Sequence, residues 1–131
     1  MNLTILNSIR TNNFNDQNIM QKISKMWSEA SNFLSSQDKV LYGLYYNYES
    51  DYKGDYTLSV AIEDIENESS INIPITPYKI FKVESSDEFG ILNTWKEIWN
   101  LEEKGILERA YSFDFEKYDH NGQIEIHIAI K

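Results

Sequence analysis

The order of its secondary-structure segments most strongly constrains the fold of this chain. Apolar side chains recur at helical spacing in two stretches, one over residues 19–34 and one over residues 92–99. One strand-like segment precedes each stretch and two follow it. The pattern strand, helix, strand, strand thus occurs twice. It predicts an α+β fold in which two helices lie on one face of a curved antiparallel sheet and leave a groove between them.

Several segments end at recognisable signals. Hydroxyl and acid groups over 85–88 predict a capping box at the start of the second helix, which Gly105 is expected to end. Asn121-Gly122 after His120 predicts a tight hairpin. The apolar stripe of the first helix consists of Ile19, Met20, Ile23, Met26, Trp27, Ala30, Phe33 and Leu34. The predicted strands cover 3–10, 40–48, 56–63, 78–84, 109–118 and 124–130.

The length of the chain predicts a single globular domain over residues 1–131. With 41% hydrophobic and 14% aromatic residues, this domain can bury a sizeable core. The repeated pattern divides it into pseudo-repeats of about 1–66 and 72–131. The acidic stretch 64–70 is predicted to be a loop between them.

The charge of the chain restricts its partners. A formal charge of -9, from 21 acidic against 12 basic residues, opposes approach to a phosphate backbone, and no Lys/Arg cluster offsets it. We therefore expect no direct binding of nucleic acid. The same charge mildly favours cationic partners, although an acidic surface also serves solubility alone.

Other classes of site and location find little support. No long apolar run or signal peptide is present, so we expect a cytoplasmic protein without a membrane partner. The absence of cysteine excludes disulfides and thiolate metal sites. His120 and His127 lack a ligand pattern, and no phosphate-binding glycine loop occurs, so we expect neither a metal nor a cofactor.

One acidic residue lies in an unusually aromatic strand. The segment 111–118 reads Tyr-Ser-Phe-Asp-Phe-Glu-Lys-Tyr, and alternation puts Glu116 on the same face as Tyr118. Phenol hydroxyls could satisfy the carboxylate, and the rings would attract a cation. The alternative is that Glu116 lies on the solvent face of an edge strand.

Further aromatic residues are candidates for the same pocket. Alternation puts Tyr42, Tyr46 and Tyr48 on one face and Tyr45 on the other, so the first three are the candidate ligand-binding residues. Matching the two halves sets Tyr48 against Tyr118. In the second helix, Trp95 and Trp99 share a face and serve either as groove wall or as core anchors, the role expected of Trp27.

Several short motifs, in order along nearly the whole chain, resemble the GyrI-like small-molecule-binding family. They are Asp55-Tyr56-Thr57-Leu58-Ser59-Val60-Ala61-Ile62-Glu63, Ile73-Pro74, Tyr78-Lys79-Ile80-Phe81, Trp95-Lys96-Glu97-Ile98-Trp99 and Phe115-Glu116-Lys117-Tyr118. This family includes effector-binding domains of AraC-type and BmrR-type multidrug regulators, stand-alone gyrase inhibitory proteins and integron cassette proteins. The chain departs from the family pattern at Ala61, where many members have glycine, and at Thr76-Pro77, which replaces a usual glycine.

The resemblance implies a duplicated strand-helix-strand-strand fold with a groove for lipophilic, often cationic molecules. The family's glutamate carries over to Glu116, and its helical aromatic positions carry over to Trp95 and Trp99. We therefore expect a stand-alone bacterial domain that binds a lipophilic cation, either as a sensor acting through another chain in transcription regulation or as a sequestering protein.

Two alternatives to simple binding follow from the same residues and the same family. In the first, Glu116 acts as a general base, assisted by Tyr46 or Glu63, and hydrolyses an electrophilic small molecule. In the second, the domain binds a protein partner, either a regulator or gyrase. We expect binding rather than catalysis.

Overall fold

The structure is a computed structural model that describes residues 1–31, 40–63, 71–119 and 121–131. Predictions made for Phe33, Leu34, the loop 64–70 and His120 lie outside these residues. The described elements are β1 (Asn2–Thr11), α1 (Ile19–Ser31), β2 (Leu41–Tyr46), β3 (Tyr56–Ile62), β4 (Ile71–Asn72), β5 (Tyr78–Val83), α2 (Gly90–Glu103), β6 (Asp114–Tyr118) and β7 (Ile124–Ala129).

All seven described strands form one antiparallel sheet in the order β4-β1-β3-β2-β6-β7-β5. The two central strands, β2 and β6, pair through Leu44 and Phe115. Leu44 also pairs with Ser59 of β3, and Phe115 with His127 of β7, so the two halves are arranged alike about the centre. The predicted α+β architecture is confirmed. The short strand β4, which extends the sheet beside β1, was not predicted.

Each helix covers one half of the sheet. Met26 and Ala30 of α1 are buried and belong to a cluster with Leu58 and Val60 of β3. Ile98 of α2 is buried in a second cluster around β5 and β7. Because the apolar stripes of the helices are used on opposite halves of the sheet, a space remains between the helices above the central strands. The predicted groove lies there.

The other face of the central strands is apolar as well. Tyr42 and Leu44 of β2 and Phe115 of β6 are buried in a third cluster, to which Leu3 and Ile73 also belong. The central strands are therefore buried on both faces. Simple alternation of apolar and polar residues does not reveal which face of such a strand points to the groove.

The structure corrects one predicted helix signal and confirms two. No capping box forms over 85–88, because α2 begins at Gly90 after an N-cap, Phe89, whose side chain makes no capping hydrogen bond. The preceding turn folds so tightly that a Cβ at Gly90 would lie 2.2 Å from the Glu84 carbonyl oxygen. Gly105 ends α2 with φ of 73°, and Gly122 has φ of 87° in the hairpin.

The strand predicted over 109–118 is shorter than expected. Tyr111 has φ of 55°, which interrupts extended backbone, and β6 begins only at Asp114. Arg109 forms an isolated bridge to Ile130 before this interruption. In the ranges that the structure describes, no helix is long and apolar enough to cross a membrane.

Candidate ligand-binding groove

A cavity of about 530 Å³ lies between the two helices, above the central strands. Its wall is mostly aromatic, with contributions from both helices and from the strands below them. The rings in this wall include Trp27 of α1, Tyr45 of β2, Trp95 and Trp99 of α2, and Tyr118 of β6. The volume suits a single small molecule.

Glu116 is the acidic residue at the bottom of this cavity, and only 4% of its surface is exposed. Its Oε2 atom accepts hydrogen bonds from the Tyr45 hydroxyl at 2.6 Å and from Trp95 Nε1 at 2.7 Å. Its Oε1 atom accepts one from the Tyr118 hydroxyl at 2.5 Å. The expected position of Glu116 beside Tyr118 on an inward face is confirmed, and the solvent-face alternative is wrong.

The phenol groups around Glu116 stay protonated and act as hydrogen-bond donors. Burial, followed by the neighbouring Glu116 carboxylate, raises the pKa of the Tyr45 hydroxyl well above its ordinary value. The same two causes raise the pKa of Tyr118. Both hydroxyls therefore keep their protons at neutral pH and donate to the carboxylate.

No cation among the described residues is paired with Glu116, which forms no ion pair there with Lys, Arg or His. The guanidinium that lines the cavity, Arg109, is bound to Asp114 at 2.7 Å and to Glu102 at 2.9 Å. The three groups of that cluster together carry a negative charge, so the electrostatic field in the cavity favours a cation.

Arg109 and Asp114 form a buried cluster that the sequence interpretation missed. Asp114 is fully buried and accepts hydrogen bonds from Arg109, from the Tyr48 hydroxyl at 2.5 Å and from the Ala129 backbone N–H at 2.8 Å. The Arg109 guanidinium also lies 4.4 Å from the Tyr111 ring centroid. The alternation of the strand puts Asp114 on the same inward face as Glu116. Because a buried carboxylate is usually paired, a second acid on this face predicts a buried cation beside it.

The structure confirms that Tyr42 and Tyr46 share one face of β2 and that Tyr45 lies on the other, but the predicted choice of the face that lines the cavity is wrong. Tyr45, not Tyr42 or Tyr46, points into the cavity. The Tyr42 hydroxyl donates to Glu63 at 2.6 Å, and the Tyr46 ring stacks on Phe113 with centroids 5.6 Å apart, both on the opposite face of the sheet. When the two halves of the chain are matched to each other so that Leu44 corresponds to Phe115, Tyr45 corresponds to Glu116.

Tyr48 reaches the cavity in spite of this. Asn47 has φ of 52°, in the left-handed region that asparagine tolerates better than most residues. The chain therefore leaves the alternation of β2 just before Tyr48, and Tyr48 points to the same side as Tyr45. Asn47 was the sequence signal for this break. Alternation continued past Asn47 wrongly put Tyr48 on the same face as Tyr42 and Tyr46.

All three tryptophans line the cavity. Trp95 is 8% exposed and is bonded to Glu116, so it belongs both to the core and to the groove wall. Trp99 stacks on Tyr52 with ring centroids 5.7 Å apart and also contacts Phe14. Trp27, expected to be a core anchor, packs against the α1 core cluster and also against Tyr118, with ring centroids 5.3 Å apart.

The remaining candidates lie elsewhere. Glu63 is exposed and bonded to Tyr42 on the opposite face from Glu116, so it is not placed to assist that residue. His127 stacks on Phe115 and is bonded to Glu125 at 3.2 Å. Burial lowers the pKa of His127.

The protein has two helices on a curled seven-stranded antiparallel sheet, and between the helices lies an aromatic groove with an acidic residue at its bottom. These features are typical of an effector-binding class of protein. The family model described as "Cass2: Integron-associated effector binding protein" matches residues 4–130. The chain belongs to this family of integron-associated effector-binding proteins, in agreement with the GyrI-like resemblance.

Two relatives illustrate the match. A Bacillus subtilis (strain 168) protein named "Putative transcriptional regulator protein YobU" is 35% identical in sequence, and the match covers 82% of this chain and 76% of that protein. The crystal structure of the integron cassette protein VCH_CASS2, from the mobile metagenome of Vibrio cholerae, has a TM-score of 0.79 and 26% identity. The match covers 100% of this chain and 92% of the VCH_CASS2 chain.

Proposed function

We propose that this protein binds a lipophilic, cationic small molecule in the groove between α1 and α2, with Glu116 as the charge that attracts it. The observation that carries the proposal is the buried Glu116 carboxylate at the bottom of an aromatic cavity, paired with no cation in the part of the chain that the structure describes. Tyr45, Tyr48, Trp27, Trp95, Trp99 and Tyr118 are the proposed aromatic contacts. Tyr42 and Tyr46, on the other face of the sheet, are not included.

The energetics support a cation over a neutral or anionic ligand. Neutral donors can satisfy the lone pairs of a carboxylate but cannot cancel its charge, and little water reaches Glu116, which is 4% exposed. A cation that enters gains from this charge, and each well-placed ring face adds roughly 0.5–2 kcal/mol. An anion would meet Glu116 and the net negative Arg109 cluster.

In the cell we propose that the domain acts as a sensor or as a sequestering protein. Membership of an effector-binding family supports capture of a small molecule. A relative with a transcriptional regulator's name supports the sensor role, in which the ligand-bound domain would act through another chain.

The hydrolytic alternative has weaker support. A general base must accept a proton from water, but the three donors already occupy most of the lone pairs of Glu116. Tyr46 and Glu63, the residues expected to assist, lie outside the cavity. We therefore expect the ligand to be released unchanged, which mass spectrometry of the ligand after incubation would show.

The binding proposal is tested by calorimetric titration with arylmethyl trimethylammonium cations whose aryl group grows from phenyl through naphthyl to biphenylyl. At least one should bind saturably, and Glu116→Gln should weaken that binding by at least about fivefold, equivalent to roughly 1 kcal/mol. Glu63→Gln removes an acid outside the groove and serves as the matched control. Absence of binding by the whole panel, or equal loss in both variants, would contradict the proposal.

A further inference from the structure

The Glu116 carboxylate has little capacity left to accept hydrogen bonds. A carboxylate offers about four lone-pair positions. Tyr45, Trp95 and Tyr118 already donate to three of them. On the side of Gly43 the Oε1 atom has little free space, since even a Cβ added to that glycine would lie only 3.1 Å away. A ligand can therefore form at most one further hydrogen bond with this carboxylate.

The three donors are neutral, so they occupy the lone pairs of Glu116 without cancelling its charge. An ammonium ion that leaves water loses the hydrogen bonds of every N–H group and needs acceptors to replace them. The phenol oxygens around Glu116 can accept, but a neutral acceptor forms a weaker bond than an ionised one. A cation without N–H groups has no such requirement.

The aromatic rings beside the Glu116 carboxylate suit a cation without N–H groups. Trp27 and Tyr118 pack edge to face at 5.3 Å, and Tyr45 and Trp95 pack at 5.0 Å between centroids. All four line the cavity around Glu116. Attraction between a cation and a ring face depends on charge and proximity and needs no N–H group.

We infer that Tyr45, Trp95 and Tyr118 make the groove selective for cations without N–H groups, such as quaternary ammonium, pyridinium and phosphonium ions, over ammonium ions that carry the same aryl body. The inference rests on the proposed function, because it presupposes that the groove takes a cation. These three residues act as specificity determinants through the lone pairs that they occupy.

The test compares each arylmethyl trimethylammonium ion with the arylmethylammonium ion of the same aryl group, at a pH where both are charged. Calorimetry on the unmodified protein should give at least about tenfold tighter binding of the quaternary ion, the affinity equivalent of one lost charge-assisted hydrogen bond. The added methyl groups also favour the quaternary ion by their own burial. A change in selectivity between variants is therefore the decisive readout.

Tyr118→Phe keeps the ring and removes the donor to Oε1. The freed lone pair can then accept from an ammonium ion, so the selectivity ratio should fall by about threefold or more. Tyr45→Phe makes the same change at Oε2 and gives a second, independent measurement. Thermal unfolding of each variant verifies that it is folded.

The outcomes separate this inference from the proposed function. If quaternary ions bind in a Glu116-dependent manner but the ammonium ions bind equally well, the inferred selectivity is contradicted and the proposed function stands. If the ratio is unchanged in both folded phenylalanine variants, the three donors do not set it. If no cation binds in a Glu116-dependent manner, the proposed function itself fails.

Discussion

Gly43 lies directly opposite Glu116 in the pairing of β2 with β6, and a Cβ added at Gly43 would be 3.1 Å from Oε1 of Glu116. This distance is shorter than an ordinary van der Waals contact, so a larger residue here would have to displace the carboxylate. The absence of a side chain on one central strand thus makes room for the acid on the other.

Gly43→Ala should weaken cation binding at a small cost to the fold. The backbone of Gly43 does not require glycine, because its φ is not positive, so alanine by itself would raise the free energy of unfolding by about 0.5 kcal/mol through the lower entropy of the unfolded chain. The new Cβ must, however, displace Oε1 of Glu116 and strain its hydrogen bond from Tyr118, so we expect a net loss of less than about 1.5 kcal/mol. Because the carboxylate is shifted, affinity for a quaternary ammonium ion should fall by about threefold or more. Calorimetry and urea unfolding measure the two effects, and an unchanged affinity in the folded variant would contradict the prediction.

Arg109→Met should destabilise the protein strongly. Arg109 is 4% exposed and its removal leaves the fully buried Asp114 without a cation. Loss of one partner of a buried ion pair costs about 3–5 kcal/mol of unfolding free energy. Lys53→Met is the matched control, because the pair of Lys53 with Glu103 at 3.6 Å is exposed, and it should cost less than about 1 kcal/mol. Similar losses in the two variants would show that the buried cluster is not needed for stability.

The sequence predicts the architecture well because the helices and outer strands have clear periods. The stripe from Ile19 to Ala30 marks α1, and the alternation of isoleucines over 124–130 marks β7. The apolar stripe of α1 packs into one cluster and the isoleucines of β7 pack into another, so the pattern of apolar residues reports directly on their packing.

The sites on the central strands are harder to predict, because both faces of those strands are buried. Tyr45 and Tyr46 are chemically alike, yet one donates to Glu116 and the other stacks on Phe113. Only the register of β2 against β6 decides between the faces, and that register is a tertiary property. The left-handed Asn47 then moves Tyr48 out of the alternation.

The start of α1 should respond to acid. Asp16 accepts hydrogen bonds from Lys22 at 2.6 Å, from Thr11 at 2.8 Å and from the Asn18 backbone N–H at 2.9 Å. These bonds, that of Lys22 first, lower the pKa of Asp16 from 3.8 to about 2. Because the folded state holds the proton less tightly than the unfolded state, the contribution of Asp16 is complete above pH 3.8 and disappears as the pH falls to about 2.

Unfolding of the protein and of Asp16→Asn at a series of pH values checks this. The variant should be less stable at neutral pH, and the difference between the two proteins should shrink as the pH falls through that window. A difference that stays constant down to about pH 2 would show that ionisation of Asp16 is not its source.

Trp95→Phe and Trp99→Phe both remove one indole N–H, but with different expected costs. Trp95 Nε1 donates to Glu116 at 2.7 Å, whereas Trp99 Nε1 is buried without a hydrogen-bond partner in the described part of the chain. Loss of a bond to a charged group costs about 1.5–3 kcal/mol, and loss of an unpaired donor removes a penalty. We therefore expect Trp95→Phe to lower the free energy of unfolding by at least about 1.5 kcal/mol more than Trp99→Phe.

A double-mutant cycle separates this bond from the different burial of the two rings. In a Glu116→Gln background the bond from Trp95 is no longer charge-assisted, so the cost of Trp95→Phe should shrink by about 1 kcal/mol, while that of Trp99→Phe should not change. Urea unfolding of the four Trp95 and Glu116 combinations gives the coupling energy. A value near zero would mean that Trp95 stabilises the protein by packing alone, and Glu116 would then depend on its two tyrosine donors.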